Sequence, residues 1–245
     1  MNQRTPNDNN SRRRAWLRTR LGRLVLQRER RLVADALEDV FGFQLLQIGT
    51  WGENGGFFEA ARTQRQTVLA AALDGRAQVC CKASELAIAS DSIDAVLLPH
   101  TLEFERDPHA VLREVHRVLV SEGRLLILGF CATGPWALRH HLSEEGFPPG
   151  LVQLISERRA RDWLALLGFE IAAAERYLFR LPFPPRRTAT LSAGEALDSG
   201  GLLPANAYLL KARKRVYALT PVRPKWRERR PLVGGLVEPT TRNHS

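Results

Sequence analysis

The stretch from Ser92 to Phe130 limits the possible folds more than any other part of the chain. Ser92-Ile93-Asp94-Ala95-Val96-Leu97-Leu98 reads as a buried strand that stops at Pro99. Asp107-Pro108 then opens a helix. An Asp carboxylate can accept the free backbone N–H groups of a first turn, proline suits the first helical position, and Val111, Leu112, Val115, Val118 and Leu119 make an apolar stripe. Glu122-Gly123 ends that helix in a turn, and Arg124–Phe130 follows as another apolar run. Strands that are apolar on both faces, joined through a helix, predict a parallel sheet with helices on both faces.

The same alternation extends in both directions. Leu32, Val33, Ala36, Leu37, Val40 and Phe41 recur at helical spacing between Arg28 and Phe41, with Gly42 in the place of a helix C-cap, and Phe43–Ile48 reads as a buried strand ending at Gly49. Ala77–Cys81 is a shorter strand. Ser156–Leu167 reads as a helix before Gly168, and Phe169–Phe179 and Ala207–Val216 as two late strands forming a closing hairpin. Residues 181–205, rich in Pro, Gly and Ser, read as a surface loop. The fold class is therefore α/β: a doubly wound sheet of Rossmann type.

Residues 1–20 read as a basic, disordered tail with order beginning near Trp16, residues 21–216 as the domain, and residues 217–245 as a basic, Pro-containing tail. A formal net charge of +10, with nine arginines between residues 11 and 31, favours acidic partners such as nucleic acid, anionic lipid or a phosphorylated metabolite. Cys80, Cys81 and Cys131 form no CxxC pair, and His140 and His141 lack further metal-type spacing, so no metal site is expected. No apolar stretch approaches the roughly 20 residues that span a bilayer, and the start lacks a signal-type hydrophobic region, so a cytoplasmic location is expected.

The turn after the first strand, Gly49-Thr50-Trp51-Gly52-Glu53-Asn54-Gly55-Gly56, has four glycines in eight residues. That is more than a tight turn needs, and it suits a backbone that approaches a ligand across the strand ends. The dinucleotide fingerprint G-x-G-x-x-G is not met, because Trp51 and Asn54 stand at its second and third glycines.

At this point the chain resembles the class I S-adenosylmethionine-dependent methyltransferases, in particular the methyltransferase type 11 group. The resemblance covers roughly residues 20–180. It rests on Leu45-Leu46-Gln47-Ile48-Gly49-Thr50-Trp51-Gly52, on Ser92–Val96, on Asp107-Pro108 through Leu112-Arg113-Glu114-Val115-His116-Arg117-Val118-Leu119, and on Ser121–Ile127. It implies about seven strands, parallel except for a late antiparallel one, with S-adenosylmethionine as cofactor. Gly49, Thr50, Trp51 and Gly52 would then form the cofactor loop, with Gly49 and Gly52 near the methionine and ribose. Ala83 and Ser84 stand where the family contacts adenine, and Pro99, His100 and Thr101 where sulfonium and acceptor meet.

The chain also departs from the family pattern. Gln47, Trp51 and Glu53 replace an acidic residue and two glycines, so Trp51 would narrow the cofactor pocket or stack on the ligand. The ribose-binding acid has Asp74 as its candidate, since no other carboxylate lies between Glu59 and Glu85. Only about three residues separate a second strand ending near Leu73 from Ala77. The crossover helix there must be missing or shortened: either Thr67–Leu73 is helical and the second strand is lost, or the adenine side is open.

His100 follows a strand's carboxyl end and is the candidate catalytic residue, to accept a proton or orient a hydroxyl or amine; the plain alternative is that it caps the strand. Glu103 and Glu105 fit a solvated face at least as well as a site. The leading expectation is methyl transfer to a small-molecule acceptor. Two alternatives stand beside it: a non-catalytic binding or scaffold protein with a degenerate cofactor site, and an RNA methyltransferase suggested by the arginine-rich start.

Overall fold

The computed structural model describes residues 6–52, 57–58, 60–71, 77–183 and 203–215. Glu53, Asp74, most of the 181–205 connection and the basic C-terminal tail lie outside them. Helix α1 spans Pro6–Leu17 and α2 spans Arg20–Leu37. The Thr19 hydroxyl accepts from the Gly22 N–H at 3.2 Å, so α2 has the N-cap its sequence supplies. Trp16 and Leu17 are buried in the core, so the segment expected as a tail contributes its last turn to the packing.

Seven strands form one sheet in the order β3-β2-β1-β4-β5-β7-β6. They are β1 (Phe41–Ile48), β2 (Arg62–Ala70), β3 (Val79–Cys80), β4 (Ile93–Pro99), β5 (Leu119–Phe130), β6 (Phe169–Tyr177) and β7 (Ala207–Lys214). Strands β1 to β5 pair in parallel, and β7 runs antiparallel between β5 and β6. This is the predicted doubly wound sheet with its late antiparallel strand. The remaining helices are α3 (Thr101–Phe104), α4 (Pro108–Val118), α5 (Pro135–Leu142) and α6 (Glu157–Leu166).

Successive residues of the central strands feed two cores. Leu45, Ala95, Leu97, Leu126 and Leu128 pack with α2 and with Trp16, Trp51 and Trp136, whereas Leu46, Val96, Leu98, Leu125 and Ile127 pack with α4 and α6. Helix α4 starts as its sequence dictates: the Asp107 carboxylate accepts from the Ala110 N–H at 3.0 Å and Pro108 occupies the first turn.

Four local expectations are corrected. Gly42 lies inside β1 rather than capping a helix. A side chain there would meet the Asp94 side chain, whose carboxylate accepts from the Phe43 and Gln44 N–H groups at 2.9 Å each. Helix α2 begins at Arg20, well before Arg28. Strand β2 is present, in register with β1 from Arg62, so the segment through Thr67–Leu69 is extended rather than helical. Glu122-Gly123 lies within β5, at an irregularity where Glu122 takes a φ of 65°, rather than ending α4. The described residues of the β1–β2 connection contain no helix, and α2, which precedes β1 in the chain, covers the sheet face on that side.

Candidate functional site

The strand order reverses between β1 and β4, which is where open α/β sheets bind ligands beyond the strands' carboxyl ends. The turn after β1 and the segment after β4 meet there. The Thr101 hydroxyl donates to the Ile48 carbonyl, and a side chain at Gly49 would begin 3.1 Å from the Thr101 Oγ1. Gly49 and Gly52 hold φ values of 99° and 104°, the left-handed range that a side chain strains. Among the described residues, the Leu26 Cδ2 lies 3.7 Å from where a side chain at Gly52 would begin.

Trp51 and His100 do not face an open cavity. Trp51 is 1% exposed and His100 0%. The two rings lie 4.4 Å apart between centroids, and His100 stacks on Phe130 at 4.0 Å. The residue that joins them is Glu29 of α2, itself fully buried. Its carboxylate accepts from the Trp51 indole N–H at 2.6 Å and the Tyr177 hydroxyl at 3.1 Å, and meets the His100 Nε2 at 2.9 Å. On the other side the His100 Nδ1 lies 3.1 Å from Glu103 Oε2, and Glu103 Oε1 accepts from the Phe130 N–H. Glu103 is therefore a core residue, not part of a solvated face.

Burial by itself would lower the His100 pKa, but the carboxylates of Glu29 and Glu103 outweigh it and raise the ring to about 9. Burial pushes the Glu103 carboxyl upward, against the imidazole's opposing pull. A ring that is charged at neutral pH, with both nitrogens engaged, cannot take a proton from an acceptor. In this arrangement both ring nitrogens of the candidate catalytic histidine face buried carboxylates. His100 holds a φ of 57°, so the chain leaves β4 and enters α3 with that side chain turned into the core.

Of the other residues expected in the site, Thr50 is buried beside Trp51, and Pro99 pairs within the sheet with Leu128. Ala83 packs with Leu86 in the opposite core, among Leu46, Ile48 and Leu69, and Ser84 is half-buried. Gln47 is saturated, donating to the Gly49 carbonyl at 2.8 Å and accepting from the Phe57 N–H at 3.2 Å. Asp74 lies outside the described residues.

The sequence reading missed Glu29, Tyr177 and Phe130. A signal for Glu29 was present: Val25, Leu26, Leu32 and Val33 form a helical stripe, and position 29 falls in its middle. A carboxylate on an apolar stripe needs a buried partner.

Gly49→Val should therefore act on the fold. We expect a loss of about 1–3 kcal/mol in urea denaturation from the strained φ and the Thr101 contact. A variant as stable as the native chain would contradict this.

Residues 57–127 match a family model described as a methyltransferase domain, a match that begins after the Gly49–Gly52 turn. A protein of Escherichia coli (strain K12) named uncharacterized protein YafS is 33% identical over 182 residues, covering 74% of this chain and 72% of that protein. Among solved structures, an S-adenosylmethionine-dependent methyltransferase from Archaeoglobus fulgidus superposes with a TM-score of 0.57 at 17% identity, over 80% of this chain and 95% of that one. A geranyl diphosphate methyltransferase, solved with S-adenosylmethionine, gives 0.55 at 17% identity, over 80% and 90%. Sheet order, the Asp107-capped helix and these matches agree that the chain belongs to the class I S-adenosylmethionine-dependent methyltransferase family.

Proposed function

We propose that the protein transfers a methyl group from S-adenosylmethionine to a small-molecule acceptor at the β1/β4 switch point. The observation that carries this reading is the turn itself: two left-handed glycines, Gly49 and Gly52, at the carboxyl end of β1 where the strand order reverses. The fit to the cofactor divides there. At Gly52 the missing side chain lets an adenosyl group approach the chain, with Leu26 as the described neighbour. The Gly49 side does not fit the methionyl half as it stands, because Thr101 stands 3.1 Å from where a side chain would begin, Gln47 spends its amide on Gly49 and Phe57, and the neighbouring Trp51 is held in the core by Glu29. The Trp51 indole has to leave Glu29 for that half to enter.

The cofactor, when bound, supplies an electrophilic methyl on a sulfonium, so a dedicated base is optional. What the chain adds is alignment and exclusion of water by Trp51, Phe104 and Phe130, with orientation worth up to about 7–11 kcal/mol. His100 keeps its proton and fixes α3 against α2.

The buried indole favours a second reading, in which the fold is kept without catalysis. Calorimetric titration separates the two. Saturable binding of S-adenosylmethionine is expected for the native chain, and Trp51→Gly, checked for folding by circular dichroism, should tighten it at least tenfold by freeing the space. Binding by neither protein overturns the proposal, and binding by the variant alone assigns the second reading.

A further inference from the structure

Helix α2 presents a second, opposite chemistry beside Glu29. Arg23, Gln27, Arg30 and Arg31 follow one another at helical spacing, and with Leu26 they line an open cavity of about 350 Å³. Arg23 and Arg31 are exposed and Arg30 is half-buried. Leu26 is buried and, among the described residues, is also the side chain nearest Gly52, so the cavity adjoins the β1 turn.

Two cations elsewhere on the N-terminal helices are paired: Arg28 meets Glu175 at 3.1 Å and Arg12 meets Glu145 at 2.6 Å. Among the described residues Arg23 and Arg30 form no ion pair. Guanidinium groups gathered around a concavity suit the paired oxygens of a phosphate, and Gln27 adds donors without charge. A sulfonium cofactor that also carries an ammonium is the wrong charge for such a wall. The residues from Arg23 to Arg31 span only about 12 Å of helix, which is room for one or two phosphate groups rather than a nucleic-acid strand.

We infer that this cavity anchors the phosphate or diphosphate group of the methyl acceptor, holding it next to the Gly52 turn. The inference rests on the methyl-transfer reading for its acceptor, but the anion site can be measured independently of the cofactor.

Calorimetric titration of the full chain with inorganic pyrophosphate at low salt should show saturable binding. Arg23→Gln with Arg30→Gln should weaken it at least tenfold. Arg158→Gln with Arg159→Gln, which removes equal charge from α6, should leave it within twofold. S-adenosylmethionine affinity should be unchanged in both double variants.

No saturable binding, or equal weakening in the two variants, would overturn the inference. So would displacement of pyrophosphate by a single-stranded RNA oligonucleotide whose binding falls steeply with salt, which would make the cavity part of a nucleic-acid surface. Should pyrophosphate bind and depend on Arg23 and Arg30 while S-adenosylmethionine binds to no form of the protein, the anion site stands and the cofactor reading falls.

Discussion

Glu29→Ala should lower the unfolding free energy by about 3–5 kcal/mol, the cost of removing one partner from a buried charged pair. The substitution strips three groups at once. The Trp51 indole N–H, the Tyr177 hydroxyl and the His100 Nε2 all lose their carboxylate in a region with no exposed surface. Each buried donor left unpaired costs about 1–3 kcal/mol. Part of the loss is recovered when His100 gives up its proton, since Glu103 alone then opposes the desolvation of the ring. Glu29→Gln keeps the shape and an acceptor oxygen, and should cost less than the alanine. Urea denaturation followed by circular dichroism measures both, and a change below about 1 kcal/mol for Glu29→Ala would show that the network does not hold α2 to the sheet.

Stability should also decline in mild alkali, and the histidine sets the window. The ring has a pKa near 6.5 in the unfolded chain and about 9 in the folded one. A raised pKa means the folded state binds the proton more tightly. Its contribution is complete below about pH 6.5, shrinks as pH rises and is gone above about 9. The shift corresponds to roughly 3 kcal/mol.

Most other shifted groups act outside that window. Hydrogen bonding to Lys211 and Lys214 lowers Asp39 and Asp91, whose contributions are lost only in acid. Burial lowers His116 and His140, which therefore titrate below pH 6.5. Burial pushes the Cys131 thiol from 9 up to about 12, so its own contribution starts to fall near pH 9, at the upper edge of the histidine's window. Unfolding free energies measured from pH 6.5 to 9.5 should fall by roughly 3 kcal/mol in the native chain, and His100→Gln should flatten the curve. An equal slope in the variant would assign the effect to other residues.

Much of the architecture can be read from local chemistry. The apolar runs of β4 and β5, the Asp107-Pro108 helix start and the glycine turn after β1 each carry their own instruction within a few residues. Boundaries were less legible where a distant group decided them. Strand β1 starts at Phe41 because it pairs with β2 from Arg62, and Asp94, some fifty residues on, accepts the Phe43 and Gln44 N–H groups beside Gly42, where a side chain would meet it. Strand β2 has few apolar residues, and its pairing along β1 made it a strand.

The site divides in the same way. From its residues alone the chain specified a parallel sheet, a ligand-type turn at the carboxyl end of β1, and a histidine just beyond β4. Whether that histidine could work as a base depended on Glu29 and Glu103, which lie 71 residues before it and three after it. Only folding brings the two carboxylates to opposite sides of one ring. Electrostatic interactions depend on distance through space and on the loss of water, and neither quantity is fixed by the order of residues along the chain.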